Sequence, residues 1–321
     1  MNKQQVQQID LKTKVLFCVS DIHGFADELK VGLKEAGYDK RNKDHILVVV
    51  GDIFDRGPKN MAVYNFLKSV PKSRRILIKG NHESLYFELL NKEYPQDHDF
   101  SNCTVDTMCE IAGVSTTVFD EDTYAYDWTR YQKESKISWN KITEIVRISP
   151  ITKWLESDEW LDYAEVGNYI FTHSFIPVRQ DDGLSPYYIH HRKQSYRADW
   201  RNASADDWEG ARWGCPWRQY KAGLFKAEEE QGKTLVVGHW HASDFYENLK
   251  NVYGSERAIY YSKGIIAIDG GVTRTWFYGT FVHPQNVLVI HEGICYGSDG
   301  HALSEIPDEG KIETVPASEI E

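Results

Sequence analysis

Between Val15 and Glu83 the sequence repeats one arrangement three times: an apolar, β-branched run ends in a short cluster of side chains able to bind cations. KVLFCVS (14–20) leads into Asp21-Ile22-His23, HILVVV (45–50) into Gly51-Asp52-Ile53-Phe54-Asp55-Arg56-Gly57, and RILIK (75–79) into Gly80-Asn81-His82-Glu83. Such runs read as buried strands. Ala26 to Ala36 and Asn60 to Ser69, lying between them, have helical spacing, the second entered through Pro58, a residue tolerated in a first turn. Strand, helix, strand, helix, strand within about 70 residues implies right-handed crossovers and a parallel sheet. Residues just past the carboxyl ends of such strands gather at one edge, where ligands bind. The three clusters are therefore expected to meet.

Asp21, His23, Asp52 and Asn81 bring carboxylate, imidazole and amide oxygen, with no thiolate among them. That set suits manganese, iron, zinc or magnesium better than a structural cysteine site. Asp52, behind the central strand, is placed to bridge two cations, and a pair of cations about 3.5 to 4 Å apart would stabilise both oxygens of an in-line displacement. Asp21, Asp52 and Asn81 could each cap a helix. Capping explains any one of them alone, but not all three with histidines beside them.

These motifs resemble the calcineurin-like metallophosphoesterases, and more narrowly the phosphoprotein (serine/threonine) phosphatase branch with its bacterial members, whose signature is DxH, GDxxDRG and GNHE. All three are present without substitution; the match is tight over residues 21–83 and continues through single histidines to about Gly271. The resemblance implies an α/β fold, a four-layer α/β/β/α sandwich of two mixed sheets with helices outside and a dinuclear metal site at one edge. It implies two divalent metal ions, manganese foremost, with iron, zinc, magnesium or nickel as alternatives. Asp21, His23 and Asp52 would hold the first; Asp52, Asn81, His173 and His239 the second. In Gly238-His239-Trp240-His241 the second histidine departs from the phosphoprotein phosphatase pattern towards the broader superfamily, and His241 becomes a candidate ligand of the first metal. By the same resemblance His82 is a general acid rather than a ligand, Asp55 orients it, and Arg56 grips phosphate oxygens with a planar fork. A mutual surface ion pair is the alternative for Asp55 and Arg56. Asn81 would also touch substrate. Arg212 is the candidate for a second phosphate-binding arginine, in competition with Arg179, Arg197, Arg201 and Arg218.

The implied reaction is phosphomonoester hydrolysis by a metal-bound hydroxide, with a phosphoprotein or small phosphoester as substrate. A dinucleoside polyphosphate hydrolase or a phosphodiesterase on the same metal core is the alternative. The retained Asp55 leans towards the protein phosphatase, because symmetrical tetraphosphatases usually replace that acid. A non-catalytic scaffold is the reading from another class; lost ligands would mark it, and none is lost.

Composition sets the limits. The chain has 321 residues, 41% hydrophobic and 26% charged, with a formal net charge of -11. The charge argues against a nucleic-acid-binding surface, while leaving room for one pocket made positive by cations and arginines. No run of 18 or more apolar residues is present and the first residues are polar, so no membrane segment is expected and a cytoplasmic setting is. Five cysteines (Cys18, Cys103, Cys109, Cys215, Cys295) without CxxC pairing suggest neither a disulfide framework nor a thiolate metal site. The sequence leaves the oligomeric state open.

A single domain spanning 1–321 is expected, with residues 1–13 a loose lead-in, insertions at about 93–149 and 174–233, and an acidic tail from about 302. The first insertion, with short helices over Val105 to Ala112 and Trp139 to Ile148, reads either as a cap over the carboxyl edge or as a helical layer covering the sheet. The second is rich in Arg, Tyr and Trp. Its interleaving suggests single-stranded nucleic acid, but its acids do not, and a substrate-facing loop is preferred. Neither insertion looks like the loops of the protein phosphatases or of the tetraphosphatases. Val146 to Trp160 reads as a helix; Trp160 to Val166, Asn168 to Thr172, Thr234 to Val237 and Ile265 to Ile268 as strands. Val287 to His291 is expected to close a second sheet. Asp269-Gly270-Gly271 reads as a structural turn. His45, His98, His190, His191, His283, His291 and His301 have no motif partner and read as surface or structural residues.

Overall fold

The computed structural model describes residues 8–114, 138–180, 194–253, 258–273 and 283–304. The aromatic and acidic stretch 119–128, His190, His191 and nearly all of the acidic tail lie outside the described residues.

The first half of the chain builds strand β1 (Val15–Val19), helix α1 (Ala26–Glu35), β2 (His45–Val50), α2 (Asn60–Ser69), β3 (Arg75–Ile78) and α3 (Asn81–Leu90). Helices α4 (Asp97–Ser101) and α5 (Thr104–Ala112) follow, then Trp139–Arg147 and Pro150–Leu155. Strands β4 (Trp160–Leu161), β5 (Tyr163–Val166), β6 (Tyr169–Thr172), β7 (Arg179–Gln180), β8 (Gln194–Ser195), β9 (Thr234–Val237), β10 (Tyr260–Ser262), β11 (Ile265–Ala267), β12 (Leu288–His291) and β13 (Ile294–Tyr296) complete the sheets. One sheet has the order β13-β12-β1-β2-β3-β4 and the other β10-β11-β9-β6-β5; β7 and β8 pair separately.

Strand alternation makes the layers. Leu16, Cys18, Ile46, Val48, Val50, Ile76 and Ile78 point from the first sheet towards Ala164, Val166, Phe171, Val236 and Ile266 of the second. The intervening Phe17, Val19, Leu47, Val49 and Leu77 pack against Leu29 and Leu33 of α1, Val63 and Leu67 of α2, and Leu89 of α3. On the far side Ile170, Leu235, Val237, Ile265 and Ala267 pack with Trp200, Trp208 and Phe245. Strands apolar on both faces are what a sheet covered on both sides requires. The result is the expected α/β/β/α sandwich, with both sheets mixed.

Four local expectations are revised. Trp160 to Val166 is not one strand: Trp160 and Leu161 pair with Leu77 and Ile78, whereas Tyr163–Val166 pairs with β6, and the chain changes sheets at Asp162. The helix expected from Val146 to Trp160 is instead two, separated where Ser149 caps the second and Pro150 opens it. Pro58 precedes α2 rather than lying in its first turn, since Lys59 is the cap. β12 does not close the second sheet but lies antiparallel to β1 in the first, with Leu16 opposite Ile290 and Cys18 opposite Leu288. The open side of β1 needs a partner for its backbone groups, and Leu288 and Ile290 fill the core between the sheets.

The two interrupting regions belong largely to the outer layers. Phe100, Val105, Met108, Cys109, Trp139, Ile142 and Val146 join the core beneath α1 and α2, so the described part of 93–149 covers the sheet. Trp200 and Trp208, from the aromatic stretch, are buried under the second sheet rather than displayed on a surface. Among the described residues no helix is long and apolar enough to cross a membrane.

Phe171 is fully buried between the sheets. Phe171→Ala is expected to lower stability by about 3–5 kcal/mol, read from the urea midpoint at unchanged slope. A loss below about 1 kcal/mol would mean that the inter-sheet layer collapses around the gap instead of keeping a cavity.

Candidate metal centre and acid pair

β1, β2 and β3 run parallel, as do β6, β9 and β11, and their carboxyl ends carry the candidate residues to one edge. Backbone bonds sew the loops together: Asp21 N donates to Gly51 O at 3.1 Å, His23 N to Asp52 O at 3.0 Å, and Gly238 N to His173 O at 2.8 Å. His239 N donates to Asp21 Oδ2 at 2.9 Å, tying the second sheet's loop to the first sheet's carboxylate. Asp21, His23, Asp52, Asp55, Arg56 and His239 all have positive φ, between 48° and 74°. The chain leaves β1, β2 and β9 through left-handed residues that turn the following side chains into the site. Such conformations cost about 1–3 kcal/mol each outside glycine and persist only where the surroundings hold them. Gly80 illustrates the crowding: a Cβ there would lie 2.1 Å from Asp52 Oδ1.

The loops are clamped by a residue whose role the motif alone does not reveal. Glu83 is 5% exposed. Its Oε2 accepts from Gly80 N at 2.6 Å and Asp52 N at 3.1 Å, and its Oε1 from Ile53 N at 3.0 Å. One carboxylate thus fixes the second and third clusters relative to each other.

Among the described residues, two groups of three side chains have donor atoms within 4.8 Å of one another: His23, Asp52 and His82, and Asp52, His173 and His239. Asp52 is common to both, as a bridging ligand would be. Its Oδ2 lies 3.6 Å from His23 Nε2 and its Oδ1 3.4 Å from His173 Nε2. Asp21 Oδ1 is 4.0 Å from His23 Nε2, and Asn81 Oδ1 is 2.8 Å from His173 Nε2. His23 Nδ1 donates to Phe54 O and His173 Nδ1 to Val50 O, both at 2.9 Å, which turns each Nε2 inward.

Electrostatics fit a cation. Burial, then the Asp269 and Asp52 carboxylates, push the Asp21 carboxyl well above its usual range, with His173 working the other way. Burial also opposes charge on Asp52, but His173, His82 and His23 hold it well below the carboxylate range. Burial acts against charge on His173, and Asp52 and Asp21 outweigh it, raising the imidazole to about 10. A proton there sits among the Asp52 and Asn81 oxygens, standing in for a positive ion. His239, by contrast, is pushed down to about 3 by burial and by His173, leaving its lone pair available. Carboxylate and imidazole donors in these two groups match divalent metals of intermediate hardness.

His82 differs from the other histidines because its Nδ1 is taken by Asp55 Oδ2 at 2.7 Å. Its Nε2 faces Asp52 Oδ2 at 4.0 Å and accepts from Arg56 Nη2 at 3.2 Å. Asp55 is wholly buried and receives two hydroxyls the sequence did not single out: Thr104 Oγ1 donates to Oδ2 at 2.8 Å and Thr107 Oγ1 to Oδ1 at 2.6 Å. The Asp55–Arg56 surface pair does not form: Asp55 turns inward to His82. The available signal was two threonines three apart among the buried positions of an apolar helix, Val105, Met108 and Cys109.

His241 stands at the margin. Its Nε2 is 3.9 Å from Asp269 Oδ2 and its Nδ1 3.5 Å from Asp244 Oδ2, and it is in neither three-residue group. Asp269, read as part of a turn, does form one, accepting from Gly271 N at 2.8 Å, but it also presses its charge on Asp21. Arg212 is held in ion pairs with Asp162 and, at 2.6 Å, with Glu209. It lines an open groove of about 860 Å³ shared with Lys79, Glu83, Ser84 and Glu209. Of its competitors, Arg201 pairs with Glu165 and Glu230, Arg197 with Asp199 and Asp207, and Arg218 lies over the Trp217 ring.

A double-sheet sandwich that gathers a shared carboxylate, several histidines and an amide at one edge is an arrangement able to hold divalent cations. The sequence model of the calcineurin-like phosphoesterases matches residues 14–243, and the chain belongs to that family. A symmetrical bis(5'-nucleosyl)-tetraphosphatase of Hamiltonella defensa is 34% identical over 85 residues, 26% of this chain and 30% of that protein. The Shewanella-like protein phosphatase 1 of Plasmodium berghei is 38% identical over 91 residues, 24% of this chain and 25% of that one. These matches span less than a third of the relatives' length. A crystal structure of the cold-active protein-tyrosine phosphatase of a psychrophile Shewanella species superposes with a TM-score of 0.51 at 16% identity, covering 94% of this chain and 84% of that one. At that identity the likeness is one of fold.

Equilibrated with manganese and desalted, the protein is expected to carry about two ions per chain by elemental analysis. Asp52→Asn, which alters the shared ligand, should lose most of both, whereas His239→Ala should keep about one. Full metal content in Asp52→Asn would rule out the bridging arrangement.

Proposed function

We propose that this chain hydrolyses phosphomonoesters as a serine/threonine-type phosphoprotein phosphatase. The observation that carries the reading is the buried Asp55–His82 pair, 2.7 Å apart, set beside Arg56 and the Asp52 carboxylate. Asp21, His23 and Asp52, with His241 added, would hold one metal ion; Asp52, Asn81, His173 and His239 the other. Manganese is the proposed metal. When bound, two divalent cations supply charge neutralisation at the phosphoryl oxygens and a nucleophile at neutral pH.

The protein's own groups account for the rest. Arg56 binds phosphoryl oxygens bidentately, and Asn81 orients them. In doing so Arg56 leaves His82 Nε2, which it contacts at 3.2 Å. That nitrogen then faces the leaving oxygen. Once Arg56 has moved to the substrate, Nε2 takes up a proton from solvent; as the water oxygen bonds to phosphorus, giving up its proton to solvent, and the ester P–O bond breaks, the Nε2 proton passes to the departing alkoxide, while Asp55 keeps the ring oriented through Nδ1. Arg212 is the proposed second phosphate contact; it would have to exchange one of its two carboxylate partners for substrate. The five cysteines are buried and none is joined in a disulfide, in keeping with the proposed reducing, cytoplasmic setting.

A second reading, dinucleoside polyphosphate hydrolysis, is favoured by one observation: the matching relatives include symmetrical bis(5'-nucleosyl)-tetraphosphatases. The retained Asp55 argues for the first. Metal-stripped and manganese-restored protein, assayed in parallel on a phosphoserine peptide, a dinucleoside tetraphosphate and a phosphodiester, separates the two. Metal-dependent phosphate release from the peptide alone is the expected result, and preference for either other substrate transfers the function to that class. His82→Ala should lower turnover on the preferred substrate by about 10²–10⁴-fold with metal content unchanged. A variant that lost its metals but kept full turnover per metallated site would refute the role given to His82.

A further inference from the structure

Helix α5 comes from the region between the motif-bearing core and β4, and its inner face is otherwise an ordinary packing surface of Val105, Met108 and Cys109. At positions three apart along that helix it carries groups aimed at the acid pair. Thr104 and Thr107, both fully buried, donate to the two oxygens of Asp55 at 2.8 and 2.6 Å. Glu110, the next position in the series, accepts from Asn60 N at 2.9 Å, Asn60 Nδ2 at 3.0 Å and Met61 N at 3.0 Å. Asn60 in turn accepts from Asp55 N at 3.0 Å and donates to Gly57 O at 3.1 Å. One helix therefore holds the Asp55 carboxylate by its oxygens and, through Asn60, the left-handed loop from which it projects.

Packing gives no reason for hydroxyls here. Valine has nearly the shape of threonine and would fill the same space among apolar neighbours. What the hydroxyls add is direction. Asp55 Oδ2 shares its lone pairs between His82 Nδ1 and Thr104, and Oδ1 is occupied by Thr107, so the carboxylate plane cannot rotate without breaking a bond in a site that water does not reach. Rotation would release His82 Nδ1 and with it the aim of Nε2.

We propose that Thr104 and Thr107 are positioning residues for phosphoester cleavage: by locking the Asp55 carboxylate they hold His82 so that Nε2 meets the leaving oxygen. The covering helix α5 is thereby part of the catalytic apparatus. The proposal rests on the reading of His82 as general acid. It makes the hydroxyls matter only for leaving groups that need a proton.

The test is the ratio of kcat on a phosphoserine peptide, whose alkoxide leaves badly unprotonated, to kcat on p-nitrophenyl phosphate, whose phenolate leaves readily. The ratio does not depend on the fraction of enzyme that is folded or metallated. In Thr107→Val it should fall about tenfold, in Thr104→Val somewhat less, with KM little changed, and Thr107→Ser, which restores a hydroxyl, should recover most of it. His82→Asn, run alongside, should show the same selectivity more strongly. A selective loss in His82→Asn together with an unchanged ratio in both valine variants would overturn the positioning role and leave the acid reading standing. Equal losses on both substrates in His82→Asn would overturn the acid reading itself, and the proposal with it. A valine effect on the ratio that serine does not rescue would also overturn it, since the lost group would not be the hydroxyl.

Discussion

Asp52 sits at the end of an interior strand with 2% of its surface exposed and two neighbouring histidines within 3.6 Å of its oxygens. A carboxylate buried that deeply is tolerable only if positive charge or hydrogen-bond donors surround it. His82 N supplies one donor, at 2.9 Å to Oδ1, and the His173 imidazole, raised to about 10, supplies the charge. Much of the surrounding architecture answers this requirement. The parallel strands bring His23, Asn81, His173 and His239 to the same edge, Glu83 pins the two loops that carry Asp52 and Asn81, and the left-handed turns aim the side chains inward. A divalent cation between these donors would replace the proton on His173 and balance Asp21, whose charge now meets Asp52 and Asp269.

The parts of this design that were legible in the sequence are those governed by local rules. β-branched runs followed by polar clusters announce parallel strands and their carboxyl ends, and topology then dictates convergence. The strands that end at Thr172 and Val237 announce His173 and His239 in the same way. What escaped the sequence is set by partners far along the chain. Trp160 to Val166 alternates as one strand would, yet the chain changes sheets at Asp162, whose carboxylate is paired with Arg212 fifty residues later. β12 has the composition of any buried strand, and only the open edge of β1 decides which sheet it joins. Likewise Thr104, Thr107 and Glu110 look like scattered polar positions until the fold lays α5 over Asp55 and Asn60.

Strain is concentrated where the chemistry is. Six non-glycine residues of the site adopt left-handed backbone conformations, and at about 1–3 kcal/mol each their combined cost rivals the net stability of a domain. The hydrogen bonds that oppose it are 2.6–3.1 Å long and, but for the part-buried one to Asp21, buried: three backbone N–H groups to Glu83, one to Asp21, one to Asp52 and one from Asp55 to Asn60. These bonds lie in loops rather than in the sheets. Stability of the sandwich and preorganisation of the site are accordingly separable: apolar layers hold the sheets together, while a polar network of few residues holds the loops in a shape the backbone alone would not choose.

That separation bears on where specificity arises. The candidate metal-binding edge is built almost wholly from the ends of core strands, and relatives named for different substrates match this chain over 85 and 91 residues. The regions between the strands do not touch the metal-binding edge uniformly. α5 reaches the acid pair from behind, through Asp55, while the helix Ala205–Arg212 places Glu209 and Arg212 beside Ser84 in the groove next to the site. Glu209 binds Ser84 at 2.6 Å and Arg212 at 2.6 Å, so the wall of the groove is fastened to the helix that begins with Asn81 and His82. A change in that wall would reach the helix that carries Asn81 and His82 through these two bonds. The outer helical layers, rather than the strand ends, thus supply much of the wall of the groove beside the site.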